Sequence, residues 1–400
     1  MVKNYRLEVL HAYIVEVTML EEDREKDHNS SWVLEVFKKA FREEYLDATK
    51  SIMKPTWRYY IRANTLRTNS NEILSILKAD GIIANFDERI EEALYIEGYV
   101  EQSPSLLSSY VIAKLDAAES CAEGADLYRP GALSLSNAEK NSRISIITQD
   151  FSVAAEGELV MDLVEFKNSK KGLVVKNLKP KFKRPSIHNL KAFKLGLIYP
   201  QSYPSLLTVK ELDPRRNETI IDMCASPGGK LSHIIQLTKG EAKVIACDKS
   251  HKKVEKIKET LSRLQLPLPS LIKCDSRYLD LEIGKEVADK ILLDPSCTDL
   301  GLRPRITLNI PKKDIQAYAE YQRQLLKAAK NLLKKGGILC YSVCTISLEE
   351  TVMNFEYAVS ELGFEECTLD FLGERRAIHI FKPHKEDTPG YVIFKVRKPS

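Results

Sequence analysis

The sequence predicts an α/β protein in which a doubly wound parallel sheet is joined to a small α+β region and an inserted β-barrel. Three observations support this prediction. After about residue 205, strand-like apolar runs alternate with helix-like segments. Residues 104–180 instead contain only short β runs, which are separated by Gly, Asn and Asp turns. The chain has 400 residues, of which 44% are hydrophobic, so two or three domains with a sizeable core are expected.

The first hundred residues mix helix-like and strand-like segments. "WVLEVFKKAFREEYLDATKSI" has the charged and apolar mixture of surface helices, whereas "WRYYIRANTL" is strand-like. The polar stretch "EQSPSLLSSY" that follows is typical of a linker. We therefore expect an N-terminal α+β region at residues 1–103, similar to an RRM and completed by residues 181–204. The inserted barrel is expected at residues 104–180.

Residues 205–400 are expected to form the doubly wound domain. The strand-like runs are "ETIIDM", "AKVIACD", "PSLIKCD", "DKILLD" and "GILCYS", and most are separated by helix-like segments. The last two runs, "AIHIFKP" and "GYVIFKV", have no helix between them, which predicts a C-terminal antiparallel hairpin. In a sheet of this kind the ligand lies beyond the carboxyl ends of the strands.

Composition excludes several classes of protein. No apolar run reaches the roughly 18 residues that a membrane span needs. Charged residues interrupt the apolar N-terminal segment, which argues against a signal peptide. We therefore expect a cytoplasmic chain in a reducing compartment. The eight cysteines form neither a CxxC pair nor a zinc-finger spacing, which argues against a metal site and a disulfide framework.

Basic residues are concentrated in one block. Residues 166–210 contain no Asp or Glu and eleven Lys or Arg, so a net charge of +4 leaves −7 for the rest of the chain. A solvated loop surface is one interpretation. The interleaved Phe182, His188 and Phe193 favour a nucleic-acid interface instead. The candidate RNA-binding residues of this kind are Lys181, Lys183, Arg184, Lys191 and, further along the chain, Arg303.

The segment Asp222–Lys230, "DMCASPGGK", follows the first strand of the doubly wound region. Its two glycines allow a ligand to approach the backbone at a helix N-terminus, but the GxGxxG spacing of dinucleotide sites is missing. Asp248, Asp275 and Asp294 end the next three strands, where carboxylates can bind ribose hydroxyls or a cationic nucleoside. S-adenosylmethionine is such a ligand. Capping of the following helices is the alternative role of each Asp.

Two cysteines also end strands of this region. Cys297 follows the fourth strand, after Asp294, and Cys344 ends the fifth strand in "YSVCT". Neighbouring strand ends are expected to bring all three side chains to one pocket. A thiolate that adds to C6 of cytosine makes C5 nucleophilic enough to accept a methyl group, and a second thiol can assist release of the product. The target base must then be unpaired or flipped out of its stack.

The motifs "DMCASPGGK", "DPSCTDLGLRP" and "YSVCT" resemble the signatures of the Fmu/Sun family of RNA cytosine-5 methyltransferases, and "YIRANTLRT" resembles its N-terminal motif. The resemblance implies a Rossmann-like class I methyltransferase fold. It also implies that Cys344 is the nucleophile, that Cys297 assists release, and that Lys230 lies near the substrate base. Independently of the resemblance, Asp294 could bind N3 and the amino group of the cytosine and so help the ring to accept electrons. The implied cofactor contacts are Cys224, Ala225, Ser226, Pro227, Gly228, Gly229, Lys230, Asp248, Lys253, Asp275 and Asp294.

One departure from the family pattern concerns the release cysteine. The usual Asp-Ala-Pro-Cys-Ser is replaced by Asp-Pro-Ser-Cys-Thr at residues 294–298, so that Pro295 follows the aspartate directly and no longer precedes Cys297. Pro295 restrains the backbone of Asp294 instead.

The segment "GADLYRPGALSLS" resembles a PUA domain, which marks a tRNA-specific subgroup of the same family. This resemblance implies methylation of cytosine 72 near the acceptor end, with the PUA domain holding the CCA tail and Tyr128 and Arg129 contacting RNA. An ordinary barrel turn is the alternative for these two residues. We expect a monomeric tRNA methyltransferase. The alternatives are an rRNA methyltransferase, a non-catalytic RNA-binding scaffold, and a DNA-type enzyme whose nucleophile is Cys297, which would leave Cys344 without a role.

Overall fold

The computed structural model describes residues 28–400, so residues 1–27 of the predicted N-terminal region lie outside the described residues. The described chain contains three sheets of four or more strands and one short strand pair. None of its helices combines the length and the apolar composition needed to cross a lipid bilayer.

The first sheet is antiparallel and has the strand order β12-β1-β3-β2. Its strands are β1 (Arg58–Ala63), β2 (Asn85–Phe86), β3 (Ala93–Glu97) and β12 (Ile198–Pro200). Two helices, α1 (His28–Phe41) and α2 (Tyr45–Ile52), precede it, and α3 (Ser70–Ala79) and the short α6 (Lys191–Lys194) accompany it. Because β12 comes from more than a hundred residues downstream, the chain leaves this sheet and returns to complete it.

The intervening chain forms a six-stranded sheet of order β6-β10-β9-β8-β5-β7. Its strands are β5 (Tyr110–Ala113), β6 (Leu127–Tyr128), β7 (Ala132–Leu135), β8 (Arg143–Ile147), β9 (Val153–Leu159) and β10 (Leu173–Pro180). Helix α4 (Leu115–Ala122) packs on it and α5 (Leu163–Asn168) precedes β10. The strands β4 (Val100–Glu101) and β11 (Phe182–Lys183) pair where the chain enters and leaves this unit.

The third sheet has the order β15-β14-β13-β16-β17-β20-β18, with β19 paired to β20. Its strands are β13 (Thr219–Asp222), β14 (Lys243–Asp248), β15 (Ser270–Lys273), β16 (Ala288–Leu293), β17 (Leu333–Val343), β18 (Glu365–Glu366), β19 (Ile378–Phe381) and β20 (Tyr391–Arg397). The first five strands in this order are parallel, and β20 is antiparallel to β17, β18 and β19. This part of the chain has the mixed α/β sheet of a Rossmann-like fold.

Helices cover both surfaces of the third sheet. They are α7 (Tyr203–Leu212), α8 (Gly229–Leu237), α9 (His251–Leu264), α10 (Leu279–Ile283), α11 (Ile315–Leu332) and α12 (Val352–Glu356). One core joins α7, α8 and α9 to the sheet, and the other joins α10 and α11 to the opposite surface. Strands buried on both surfaces are apolar without alternation, which explains runs such as "KILL" in β16.

The N-terminal motif "YIRANTL" connects the first sheet to the third. The guanidinium of Arg62, at the end of β1, donates hydrogen bonds to the carbonyl of Gly229 (2.9 Å) and the hydroxyl of Ser232 (2.6 Å) in α8. The Asn64 side-chain amide donates to the carbonyls of Gly196 (3.0 Å) and Leu264 (2.7 Å). Both side chains are buried. The motif therefore fixes the first sheet against the helix that begins at the glycine turn.

Candidate active site

The carboxyl ends of the parallel strands meet at a cleft of about 300 Å³. The turn after β13 forms one side of it, with Cys224, Ser226 and Pro227 in the lining. The ends of β14 and β16 contribute Asp248 and Asp294, and Lys253 lines it from α9. The cleft therefore collects residues that are distant in sequence at the position where doubly wound sheets bind their ligands.

The glycine turn allows α8 to begin close to this cleft. Gly228 has φ +102°, in the left-handed region that favours glycine. A Cβ atom on Gly229 would approach the ring of Tyr199 to 2.9 Å, which is too close for any other residue. The turn is held from behind, because the backbone N–H groups of Ala225 and Ser226 donate to the carbonyl of Cys247 (3.0 Å) and the carboxylate of Asp248 (3.3 Å).

Acidic side chains outnumber the cations that neutralise them at these strand ends. Burial and the nearby Asp294 carboxylate raise the pKa of Asp222 to about 7. Asp248 is also buried, and its carboxylate is 3.5 Å from the Nζ atom of Lys253. These carboxylates therefore fit a positively charged nucleoside such as S-adenosylmethionine. Asp248 can accept hydrogen bonds from ribose hydroxyls, and the negative charge of the strand-end carboxylates favours a sulfonium.

Asp275 differs from the other two predicted acids, Asp248 and Asp294. Its carboxylate makes a double contact with the guanidinium of Arg277, at 2.7 Å for the shortest pair, and accepts from the Arg277 backbone N–H. It caps the short 3-10 helix Ser276–Tyr278, and Ser276, not Asp275, lines the cleft. In this structure Arg277 and the helix cap engage the oxygens of Asp275, and its direct contact with the cofactor stays a prediction.

A second cavity, of about 410 Å³, adjoins the first and shares Cys224, Asp294 and Cys344 with it. Lys230 lines this cavity, and its Nζ lies 2.6 Å from Oδ2 of Asp294. The other oxygen of Asp294 accepts from the Ser342 hydroxyl at 2.7 Å. Although burial opposes it, the Asp294 carboxylate raises the pKa of Lys230 above its ordinary value, so Lys230 remains a cation.

The two strand-end thiols meet between the cavities. The Sγ atoms of Cys297 and Cys344 are 3.5 Å apart. Cys344 is partly exposed and lines both cavities, whereas Cys297 is 4% exposed and lines only the first. The shift of Pro295 therefore does not turn Cys297 away from its partner. A base entering the second cavity would meet Cys344 first.

The environments of the two sulfurs also differ. The hydrogen bond with Cys344, followed by burial, holds the pKa of Cys297 well above its usual range, so Cys297 remains a neutral thiol. Since a thiolate is the reactive form, the raised pKa of Cys297 disfavours the DNA-type arrangement in which Cys297 is the nucleophile.

Asp299 completes the group around the thiols. Its Oδ1 lies 3.4 Å from the sulfur of Cys297 and 3.5 Å from that of Cys344. The other carboxylate oxygen pairs with Nζ of Lys313 at 2.9 Å. The two sulfurs and a carboxylate oxygen lie within 4.8 Å of one another, a spacing that a metal ion would also accept. Sequence reasoning missed Asp299 because the motif alone does not tell on which side of the loop residue 299 lies.

The lysines predicted to bind RNA are more exposed to solvent than the arginines predicted to bind it. Lys183 and Lys191 are exposed, Lys181 is half-buried, and the ring of Tyr128 is 56% exposed on β6. Exposed lysines of the basic block continue this surface; they are Lys167, Lys170, Lys171, Lys176 and Lys194. These positions are accessible to a polyanion.

The guanidinium groups of the three predicted arginines are engaged within the fold. Arg303, whose side chain is 5% exposed, donates to the carbonyls of Lys54, Pro55, Pro383 and Thr388. Arg184 is equally buried, donates to the carbonyl of Thr56 and pairs with Glu123 at 3.2 Å. Arg129 donates to the carbonyls of Phe166 and Ala132 and stacks on the Phe166 ring at 3.9 Å. All three therefore support local structure, and their contact with RNA stays a prediction.

Two further residues that contact Asp294 were not predicted. The hydroxyl of Tyr391, on β20, lies 3.4 Å from Asp294, and its ring is 5.7 Å from Nζ of Lys230. Ser342 precedes Cys344 by two residues, so it faces the same side of β17, and this alternation could have identified it. Tyr391 carries no signal in the sequence, since its strand pairs with β17 only in the folded sheet.

Comparisons with known proteins agree with this geometry. The family described as 16S rRNA methyltransferase RsmB/F matches residues 209–392. A tRNA (cytosine(72)-C(5))-methyltransferase from Pyrococcus horikoshii is 37% identical over 387 residues, which cover 91% of this chain and 98% of the relative. Mouse tRNA (cytosine(72)-C(5))-methyltransferase NSUN6 is 36% identical over 200 residues, 47% of this chain and 41% of that protein. The crystal structure of NSun6 from Pyrococcus horikoshii with SFG has a TM-score of 0.80 at 35% identity, covering 92% of this chain and 98% of that one.

The sheet and its strand-end cleft define a class I methyltransferase. Similarity of this extent also identifies the family: the chain belongs to the Sun family of RNA cytosine-5 methyltransferases. It is accordingly an enzyme whose cofactor is S-adenosylmethionine, of which the SFG in the related crystal structure is an analogue. The resemblance, the enzyme class and the cofactor predicted from the sequence are thereby confirmed.

Proposed function

We propose that this enzyme methylates C5 of cytosine 72 in the acceptor stem of tRNA. The tRNA-specific relative from Pyrococcus horikoshii supports this substrate, because its similarity extends over 91% of the chain and thus includes the six-stranded sheet. The family described by an rRNA substrate matches only residues 209–392. Since that shared part carries the chemistry, the substrate preference is expected to depend on the remainder.

We divide the chain into three regions. The region predicted at residues 1–103, of which residues 28–103 are described, is RRM-like and is completed by residues 181–204. Residues 104–180 form a PUA-like domain for the CCA end, and residues 205–400 form the catalytic domain with a C-terminal hairpin. The exposed lysines between Lys167 and Lys194 are positioned to follow the phosphate backbone, which favours a polyanionic partner. Tyr128 is exposed on the PUA-like unit and can stack on a base.

The distance of 3.5 Å between the sulfurs of Cys297 and Cys344 is the observation that carries the catalytic proposal. Cys344, as the thiolate, adds to C6 of a cytosine that has entered the second cavity, and electron density moves to C5. Asp294 binds the N3 and amino side of the ring, and Lys230 holds Asp294 in place. When bound, S-adenosylmethionine supplies the electrophilic methyl group. The Asp299 carboxylate, which lies beside both sulfurs, takes the proton from C5, and the electron pair of that C–H bond restores the double bond between C5 and C6. The bond between C6 and Cys344 breaks at the same time, and Cys344 leaves as a thiolate that the neutral thiol of Cys297 stabilises by a hydrogen bond.

The first experiment identifies the substrate. The enzyme is incubated with labelled S-adenosylmethionine and either bulk tRNA or 16S rRNA, and 5-methylcytosine is mapped by bisulfite sequencing. We expect label at position 72 of tRNA. Modification of the rRNA alone would reject the tRNA proposal and keep the family chemistry, and binding of tRNA without methylation would indicate a scaffold.

The second experiment assigns the cysteines. Cys297→Ala is expected to accumulate a covalent RNA adduct on denaturing gels, because addition proceeds and release is slowed. Cys344→Ala is expected to form no adduct. Cys340, a buried thiol of β17 that does not line either cavity, provides the matched control as Cys340→Ala. An adduct in Cys344→Ala and none in Cys297→Ala would reverse the assignment.

A further inference from the structure

Glu350 is a buried carboxylate that the proposed chemistry does not use. It has no measurable exposure, and it lies six residues after Cys344. In the described part of the chain its hydrogen-bond partners are all neutral donors. A carboxylate without a cation is costly to bury unless several hydrogen bonds compensate it. Its presence in the core therefore calls for a role in what those hydrogen bonds hold together.

The donors come from both thiol-bearing loops. From the Cys297 loop, the backbone N–H of Thr298 donates to Oε1 of Glu350 at 3.0 Å, and the Thr298 hydroxyl donates to Oε2. From the Cys344 loop, the Ser347 hydroxyl donates to Oε2 at 2.7 Å. The hydroxyls of Thr298 and Thr345 also bond to each other at 2.6 Å. Thr298 and Thr345 each directly follow a reactive cysteine, so one carboxylate connects the residues next to both thiols.

The carboxylate is itself fixed by helix α11. The side-chain amide of Gln322 donates to Oε1 of Glu350 at 2.9 Å and to the carbonyl of Ser296 at 3.0 Å. The oxygen of Gln322 accepts from the Tyr341 hydroxyl at 3.0 Å and from Asn354 at 2.8 Å. All of these side chains are buried. Because α11 supplies a rigid support, the two loops are held by one connected network and not by separate contacts.

We propose that Glu350 is a positioning residue that holds Cys297 beside Cys344, so that the release step follows methyl transfer without delay. This inference rests on the cysteine roles proposed above. Loosening the network is expected to separate the thiols while leaving the two cavities in place, since Glu350 lines neither of them. A misplacement of about 1 Å at reacting groups commonly costs about a hundredfold in rate.

The test uses Glu350→Gln in the full-length enzyme, with Glu211→Gln as the matched control. Glu211 is an equally buried glutamate that pairs with Lys395 at 3.5 Å and does not line either cavity. Glu350→Gln keeps the shape but turns an amide N–H₂ group toward donors. We expect kcat to fall by roughly ten- to a hundredfold while KM for tRNA changes little, and an RNA adduct to accumulate with both thiols present. Thr298→Val, which removes only the shared hydroxyl, is expected to show a weaker form of the same pattern.

A second readout needs neither RNA nor cofactor. Mild oxidation with diamide, followed by peptide mapping, gives the rate at which Cys297 and Cys344 form a disulfide. An internal reference pair is provided by Cys247, near the end of β14, and Cys274, directly after β15. Their sulfurs are 2.8 Å apart. We expect Glu350→Gln to slow the first pair by about tenfold relative to the second, because the effective concentration of the thiols falls.

The two readouts separate failure of this inference from failure of the proposed function. If Glu350→Gln matches Glu211→Gln both in turnover and in the ratio of the two disulfides, the positioning role is rejected, whatever the substrate. If the wild-type enzyme methylates no tRNA, the proposed substrate is rejected, and the disulfide ratio still decides the role of Glu350. The positioning role would also be rejected if both variants lost kcat and melting temperature to the same extent and neither accumulated an adduct.

Discussion

The acidic excess at the strand ends predicts that cofactor affinity depends on pH. Burial and Asp294 raise the pKa of Asp222 to about 7, so this carboxyl is largely protonated below neutral pH in the empty enzyme. A bound sulfonium cation favours the ionised carboxylate. Binding of S-adenosylmethionine should therefore release a proton below pH 7, and its affinity should rise as the pH increases through this value.

The magnitude follows from the ionised fraction of Asp222. With a pKa of about 7, this fraction rises from roughly one-tenth at pH 6 to roughly nine-tenths at pH 8, so affinity should increase about tenfold between these values. In the empty enzyme the raised pKa has the opposite consequence for folding. The native state retains a proton that the unfolded chain has lost, so this group reduces stability as the pH rises from about 4 to 7.

Calorimetric titration at pH 6, 7 and 8 in two buffers of different ionisation enthalpy measures both the affinity and the proton release. S-adenosylhomocysteine is the control ligand, since it keeps the same amino and carboxylate groups but has a neutral sulfur. It should show a much smaller dependence on pH. Asp222→Asn should remove the difference between the two ligands. Equal pH profiles for both ligands in the wild-type enzyme would refute the electrostatic reasoning.

Three further predictions concern the base pocket and the RNA surface. Asp294→Asn should lower the single-turnover rate constant by roughly 10²–10⁴-fold, because Lys230 loses its ionic partner and the base loses an acceptor. An unchanged rate constant would contradict the proposed role of Asp294. Replacing Lys183, Lys191 and Lys194 by Gln should weaken tRNA binding and reduce the slope of log K against log salt by roughly two to three, and an unaltered slope would remove these lysines from the interface. Arg303→Lys should instead lower the melting temperature and leave the slope of log K against log salt unchanged, since the Arg303 guanidinium contacts protein carbonyls. A changed slope with an unchanged melting temperature would indicate that Arg303 contacts RNA.

The strand-end residues were predictable because a parallel sheet imposes its own geometry. Asp294 and Cys344 follow apolar runs in sequence, and neighbouring parallel strands necessarily bring their carboxyl ends to one edge. The same rule located the glycine turn and Asp248. Charge, in contrast, does not tell which groups face solvent. Arg303 and Arg184 are residue types that often bind RNA, yet their guanidinium groups donate hydrogen bonds to carbonyls of loops that are distant in sequence. No local sequence pattern reveals such partners.

The unpredicted residues share a dependence on tertiary structure. Tyr391 reaches Asp294 only because β20 is antiparallel to β17, and Glu350 meets Thr298 only because two loops 52 residues apart are adjacent. The signature motifs contain the reacting atoms but not the groups that orient them. This division is expected, since chemistry constrains residue type at a few positions while orientation can be supplied from any neighbouring element.

The proposed roles of the two thiols rest on how differently the fold exposes them. A nucleophile needs access to the base, and Cys344 borders both cavities. A group that assists release needs proximity to the departing sulfur and a proton to give, and Cys297 is buried, hydrogen-bonded to Cys344 and held neutral by a raised pKa. Exchanging the roles would require a buried neutral thiol to attack a base that it does not face. The asymmetry of burial, more than the identity of either motif, is therefore the physical reason for proposing that the covalent bond forms at Cys344.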